Sequence, residues 1–399
     1  MTTTLTTQFL ALAGILAVVL GASEAPDAAD EAEIEARSLV RLGDTARLEH
    51  ALAKARRGER VVVGVIGGSI TAGAAASTEA NRWGNRVALW WRESFPQAEI
   101  VFVNAGIGAT GSDIAAHRVQ PHLLERRPDF VGIEFAVNDG GKPFVKDTLE
   151  GVVRQVLKQP NRPAAMLLFT MHQDGSNVQD QHAVIGDHYG LPMVSFRDAL
   201  WPEIKAGRIA WTDIEADAVH PNDRGHDYCA RFVTRVLDAV LADLPADADL
   251  PPIAPLPGPK ASDVFEHAAF YNAETLAPVR NDGWDVLDTH PLFGPGWRSA
   301  TPGSALAFEV QGTAIGLLFY RIKGAMGIAE AAVDNGPPVR MDAWFSADWG
   351  GYTPYELIAR DLPQGKHTVT VTLLDEKHEA STGHEFRLHA VMPAGLPHD

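Results

Sequence analysis

Three segments of this sequence carry residues that could do chemistry together; two lie where an apolar run gives out, and the third precedes the last helix of its domain. Ser69 follows Gly67-Gly68 at the end of Val61–Ile66. A serine hydroxyl is a poor nucleophile at neutral pH and needs an adjacent base, and the two glycines before it leave little side chain to obstruct a substrate. Asn138 follows the run Phe130–Ala136 within Val137-Asn138-Asp139-Gly140-Gly141, and its amide could donate to a developing oxyanion. Asp217-Ala218-Val219-His220 pairs a carboxylate with an imidazole. His220 would take and return the serine proton, and Asp217 would fix its tautomer and stabilise the imidazolium. Pro221 biases His220 away from helical geometry, and Asn222 can cap the helix that follows. A lone serine or a lone Asp-x-x-His is commonplace; their succession at strand ends is not.

A fourth segment, Asn104-Ala105-Gly106-Ile107-Gly108-Ala109-Thr110-Gly111, follows the run Ile100–Val103. It offers main-chain N–H groups at Gly108 and Ala109, and it also spells G-x-G-x-x-G at Gly106, Gly108 and Gly111. That is the dinucleotide fingerprint, so a dinucleotide-binding enzyme is one alternative. The position argues against it: the glycines follow the second strand of the pattern, and the next strand carries Glu134 inside its run rather than an acid at its tip. Asp139, His172 and Asp174 lie at the same edge and are candidate substrate contacts. His226, Cys229, Trp83, Trp90 and Trp91 fall on helical segments and read as packing residues.

These residues need a frame. Strand candidates at 61–66, 100–103, 130–136, 165–170 and 193–196 alternate with helical candidates at 82–94, 112–125, 145–158, 178–189 and 223–241. An earlier helix is expected over 45–57, with Leu48, Leu52 and Ala55 on one face, after an acidic, flexible stretch from Ser23 to Glu35. Near-continuous Val/Ile strands between helices predict a doubly wound α/β layer with a parallel sheet, whose ligands bind at the carboxyl ends of the strands. Pro245–Pro259 holds six prolines in 15 residues and predicts a stiff, extended linker. Beyond it, short strands at 305–310, 314–320, 328–334, 355–360 and 367–374, separated by turn signals, predict an all-β sandwich. Its aromatic residues Trp344, Trp349, Tyr352 and Tyr355 suit stacking on sugar rings. The expected domains are therefore 58–244 and 261–399, joined by 245–260 and preceded by a segment and helix over 26–57.

Composition sets outer limits. The chain has 399 residues with 34 Lys+Arg against 51 Asp+Glu, a net charge of −17, which argues against nucleic acid or an anionic membrane surface as partner. One cysteine, Cys229, excludes an intrachain disulfide and a zinc site of paired thiolates. The apolar run Phe9–Ala22 is too short to span a bilayer comfortably and fits the core of a signal peptide over 1–25, although no Lys or Arg precedes it. Secretion or export to a periplasm is the expectation.

On these four blocks the sequence resembles the SGNH hydrolases, also called GDSL-type esterases, over about 185 residues from Arg60 to Leu244. Ser69 matches the nucleophile, Asn138 the third-block asparagine, and Asp217 with His220 the last block. Two positions depart from the family pattern: Gly68 stands where the family has an aspartate, and Ala109 where its oxyanion glycine usually lies. The resemblance implies a flavodoxin-like three-layer fold and a Ser69–His220–Asp217 triad. It also implies an oxyanion hole from the Ser69 N–H, Gly108 or Ala109 and Asn138, and an acyl-enzyme formed without metal or organic cofactor. Secreted relatives with a β-sandwich remove acetyl groups from polysaccharides, so an acylated small molecule or polysaccharide is the expected substrate. A catalytically inactive glycan-binding protein of the same fold is the remaining alternative.

Overall fold

The computed structural model describes residues 30–396; the expected leader lies outside the described residues. The first half is a six-stranded sheet between helices. It contains α1 (Glu31–Ser38), β1 (Leu39–Arg41), α2 (Ala46–Arg56), β2 (Val61–Gly67), α3 (Ser69–Ala72), α4 (Trp83–Ser94), β3 (Ile100–Gly106) and α5 (Ser112–His122). It continues with β4 (Phe130–Glu134), α6 (Val145–Leu157), β5 (Ala164–Phe169), α7 (Gln179–His188), β6 (Met193–Ser195), α8 (Phe196–Lys205), α9 (Trp211–Ile214) and α10 (Asp223–Ala242). The strand order is β1-β6-β5-β4-β2-β3, all parallel except the antiparallel edge strand β1.

Side chains alternate across the strands, so one run feeds two cores. Val61, Val63 and Val65 of β2 face a core shared with Trp83, Trp91 and Phe232. Ile66, Val131 and Leu167 face the opposite core with Val119, Leu149 and Val153. Burial on both faces is why these strands read as continuous apolar runs. The tryptophans divide: Trp83 and Trp91 are fully buried, whereas Trp90 is partly buried and donates its indole N–H to Asp238 at 2.8 Å.

The second half is a sandwich of two antiparallel five-stranded sheets. Its strands are β7 (Arg280–Asp282), β8 (Asp285–His290), β9 (Gly294–Ser299), β10 (Ala305–Gln311), β11 (Ala314–Phe319), β12 (Ile328–Val333), β13 (Val339–Asp342), β14 (Tyr355–Ala359), β15 (Lys366–Leu373) and β16 (Phe386–Ala394). On β15, Val369, Val371 and Leu373 point into the sandwich core and the threonines between them point away.

Two expectations change. The acidic stretch does not stay irregular to Glu35: Asp30 caps α1 by accepting from the Ala32 N–H at 2.9 Å, and Arg231 pairs with Glu31 at 2.9 Å and also with Glu35. Opposite charge on α10 gives that acidic helix a seat. The proline-rich segment is extended but is not a free spacer. It lies along the α/β half, where Arg56, His50, Arg154 and His188 contact the carbonyl oxygens of Pro245, Pro251, Pro257 and Gly258 at 2.7–3.0 Å.

Candidate active site

Gly67, at the tip of β2, pairs with Gly106 on β3 and with Glu134 on β4. The three loops that leave these strands therefore start side by side. From β2 the chain turns through Gly68 into α3, a single turn of helix beginning at Ser69, closed by Gly73 at φ 96°, a left-handed conformation that glycine adopts without penalty. Two contacts hold this turn down. Thr71 donates its hydroxyl to Glu134 at 3.1 Å, and Asn104 donates its amide to the Thr71 carbonyl at 2.9 Å.

His220 reaches the serine from the other side. Its Nε2 lies 2.9 Å from Ser69 Oγ, and its Nδ1 lies 2.7 Å from Asp217 Oδ2. The other Asp217 oxygen accepts from the Val219 and His220 N–H groups at 2.8 and 2.9 Å. Burial alone would raise the Asp217 carboxyl, but these hydrogen bonds outweigh it and hold the group below the usual carboxylate range. Three contacts fix the loop: Trp211 Nε1 donates to the Asp217 carbonyl at 2.6 Å, Gln173 N–H to the Ala218 carbonyl at 2.9 Å, and Ala216 N–H to the His220 carbonyl at 2.8 Å. Asn222 caps α10 as its position predicts, accepting from Arg224 and Gly225 N–H groups.

Asn138 lies against the serine turn. A Cβ built on Gly68 would stand 2.1 Å from Asn138 Oδ1, so the asparagine occupies the space that any side chain at position 68 would need. Gly108 also faces the serine: a Cβ there would meet one atom within 4 Å, the Cβ of Ser69 at 4.0 Å. Ala109 takes φ 55°, an uncommon conformation for a residue with a Cβ.

The remaining G-x-G-x-x-G positions serve this arrangement and leave no cradle for a pyrophosphate. A Cβ on Gly106 would strike the Ala72 nitrogen at 2.2 Å, and one on Gly111 would strike Asp139 Oδ1 at 2.5 Å. These glycines let β3 and α5 pack against the serine turn and the Asn138 loop.

The three expected substrate contacts fare differently. Asp139 is buried and spent on the scaffold: it accepts from the Ser112 N–H at 2.7 Å and pairs with His182 Nε2 at 3.0 Å. It is therefore a structural residue and not a substrate contact. His172 is half-buried with Nε2 3.2 Å from the Val137 carbonyl, and Asp174 is exposed, accepting from the Ser176 N–H at 2.9 Å. Their loop adjoins the His220 loop through Gln173. His226 and Cys229 are fully buried, as expected of packing residues.

Three further buried charged residues stand close to the site. Arg118 on α5 lies behind the loops, donating to the carbonyls of Ala105 at 2.6 Å and Gly67 at 3.1 Å; burial pulls its guanidinium down to about 9. Glu134 accepts from Thr170 at 2.7 Å and from Thr71, thereby joining the serine turn to the tip of β5. Burial outweighs those bonds and lifts it to about 7. Glu215, under the His220 loop, is 3% exposed with Oε2 unpartnered, and burial followed by the nearby Asp217 charge raises it to about 9. Glu134 interrupts an otherwise apolar strand, which is a signal in itself; Arg118 and Glu215 had none.

Among the described residues no group of three or more His, Cys, Asp or Glu side chains could hold a metal ion, and no helix is long and apolar enough to cross a membrane. The sequence profile of the GDSL-like lipase/acylhydrolase family matches residues 65–228. Two solved structures resemble most of the chain, both halves included. One is a two-domain esterase (CEX) active on acetylated mannans, co-crystallised with mannopentaose; it is 30% identical, with 92% of this chain and 99% of that chain covered and a TM-score of 0.82. The other, described as the same kind of esterase without the oligosaccharide, is 31% identical, with 91% and 99% covered and a TM-score of 0.84. A search of curated proteins found no match.

Proposed function

The chain belongs to the GDSL-like lipase/acylhydrolase family and is a carboxylic ester hydrolase, and from that premise we propose that it removes acetyl groups from a carbohydrate through an acyl-enzyme on Ser69. The observation that carries this reading is the unbroken line Ser69 Oγ, His220 Nε2, His220 Nδ1, Asp217 Oδ2, with spacings of 2.9 and 2.7 Å at its two hydrogen bonds. His220 accepts the serine proton as Oγ bonds to the acetyl carbon. The negative oxygen that forms is met by the Ser69 N–H, the N–H of Gly108 or Ala109, and the Asn138 amide. Collapse breaks the bond to the sugar oxygen, which leaves with the proton held by His220. Water then gives its proton to His220 and its oxygen to the acetyl carbon; acetic acid departs and Ser69 regains its hydrogen.

The carbohydrate part of the reading rests on the two esterases active on acetylated mannans, and acetylated mannan is the first substrate to try. The sandwich supplies a fitting surface. Trp349 is 63% exposed and packs edge-on against Phe345, with Tyr352 beside both and Arg321 over the Phe345 and Tyr352 rings. Such an aromatic group suits stacking on sugar rings. Tyr355 does not belong to it, being buried between the two halves, and Trp344 is stacked on His378 at 3.9 Å. Division into a catalytic unit at 58–244 and an accessory unit at 261–399, and export led by residues 1–25, complete the proposal. The test is acetate release from acetylated mannan, xylan and pectin by wild type and Ser69→Ala. Retained turnover in Ser69→Ala refutes the nucleophile, and release from xylan or pectin but not mannan refutes the choice of sugar.

A further inference from the structure

The groups proposed to bind the oxyanion come from the parallel-sheet half, yet the segments that carry them lean on the sandwich. Ile107, immediately before Gly108, is buried in one apolar cluster with Phe144 of its own half and with Phe293, Leu318, Tyr355 and Met392 of the sandwich. Its backbone is tied at both ends: the N–H donates to the Gly67 carbonyl at 3.1 Å, and the carbonyl accepts from Thr110 Oγ1 at 2.8 Å. Gly108 and Ala109 are both exposed, and a Cβ on Gly108 would meet only Ser69, so these two residues have little packing of their own. The Asn138 side shows the same dependence. Lys142, four residues on, pairs with Asp113 and donates to the Tyr355 carbonyl at 3.2 Å. Its ammonium lies 5.9 Å from the centre of the Phe144 ring and 5.8 Å from that of Tyr355.

We propose that the C-terminal sandwich is a working part of the oxyanion hole. Phe293, Leu318, Tyr355 and Met392 are positioning residues: they hold Ile107, and through it the N–H groups of Gly108 and Ala109, while Tyr355 anchors the loop that carries Asn138. The inference rests on the reading of those groups as oxyanion donors. It gives the sandwich a part in hydrolysing any ester, including one with no sugar attached, which a glycan-binding role alone does not. Donors stabilise the transition state only from preset positions, and a displacement of about 1 Å costs roughly a hundredfold in rate.

Hydrolysis of 4-nitrophenyl acetate separates the two roles, because this ester carries no glycan to stack. Ile107→Ala in one half and Phe293→Leu in the other should each lower kcat by about 10–100-fold, with KM within about twofold. Ile107→Val should recover most of the loss. Leu306→Ala opens a cavity in the sandwich's own core, away from this cluster, and should lower Tm while leaving kcat within about twofold. Thermal unfolding of every variant reports folding, and Ile107→Val and Leu306→Ala keep the comparison decisive should a larger change fail to fold. The inference is overturned if Ile107→Ala and Phe293→Leu keep wild-type kcat, if only KM rises, or if Leu306→Ala slows kcat as much as they do. Failure of the underlying reading appears separately, as turnover by Ser69→Ala.

Discussion

Replacing Gly68 by alanine adds one methyl group and should nearly silence the enzyme. The new carbon would stand 2.1 Å from Asn138 Oδ1, 2.7 Å from Cγ and 3.0 Å from Nδ2, whereas ordinary contact begins near 3.4 Å. Gly68 has φ −85° and ψ −147°, so alanine meets no left-handed penalty, but that ψ lies outside the ordinary α and β ranges and adds backbone strain to the clash. Asn138 must give way, and by more than 1 Å. Displacement of that size costs about a hundredfold, and complete loss of an oxyanion donor costs about 10²–10³ in kcat. Gly68→Ala should therefore lose about 10²–10³ in kcat on 4-nitrophenyl acetate. Asn138→Ala should lose a similar factor, and the double variant no more than Asn138→Ala alone, because both changes remove the same donor. Retention of kcat within about threefold in Gly68→Ala, or multiplicative losses in the double variant, would refute the reasoning.

Three further outcomes are expected. His220→Ala should cost at least about a thousandfold in kcat/KM, and Asp217→Ala distinctly less, since Asp217 is 55% exposed and water can replace part of its role; equal losses would contradict this. Arg118→Met should take the arginine donor from the Ala105 carbonyl, while the Gly67 carbonyl keeps the Ile107 N–H, lowering stability by about 1–3 kcal/mol, read by urea unfolding. Glu215 keeps its proton to about pH 9 when folded and loses it near 4.5 when unfolded. Across that window the folded state binds more protons, so stability falls as pH rises, by up to about 1.4 kcal/mol per pH unit. Glu215→Gln should flatten the decline of Tm between pH 5 and 8, and an unchanged slope would reassign it.

The sheet strands of the α/β half were legible because burial on both faces leaves long Val/Ile runs, and β2, β3, β4 and β5 lie within a few residues of their expected places. The antiparallel edge strand β1 was not, since Leu39, Val40 and Arg41 are all exposed and carry no alternation. Helix α8 was hidden by Pro202 inside it. In the sandwich, β15 shows a period of two, but β16 lies between neighbours on both edges with both faces covered, and its Arg387-Leu388-His389-Ala390-Val391-Met392-Pro393 reads as no pattern at all. Within the site, Ser69, Asn138, Asp217 and His220 announce themselves by type and place. Asp139 stands beside Asn138 in sequence, but its carboxylate turns inward to Ser112 and His182. The dependence of Ile107 on Phe293 and Met392 joins residues far apart in the chain, and no local pattern records it.

The proline-rich segment forms a strap along the α/β half. Proline removes backbone N–H groups and leaves every carbonyl in place. The side chains that tie the strap down, Arg56, His50, Arg154 and His188, all meet carbonyl oxygens, so the prolines take away nothing that these contacts use. At these four points the scaffold grips the strap by its main chain, while Arg56 and Arg57 also pair with the Asp247 carboxylate and Leu256 packs against the core. Away from Asp247 and Leu256 the strap's composition is thus free to drift during evolution provided its path is kept, and much of the burden of preserving the seam falls on the residues of the opposite surface.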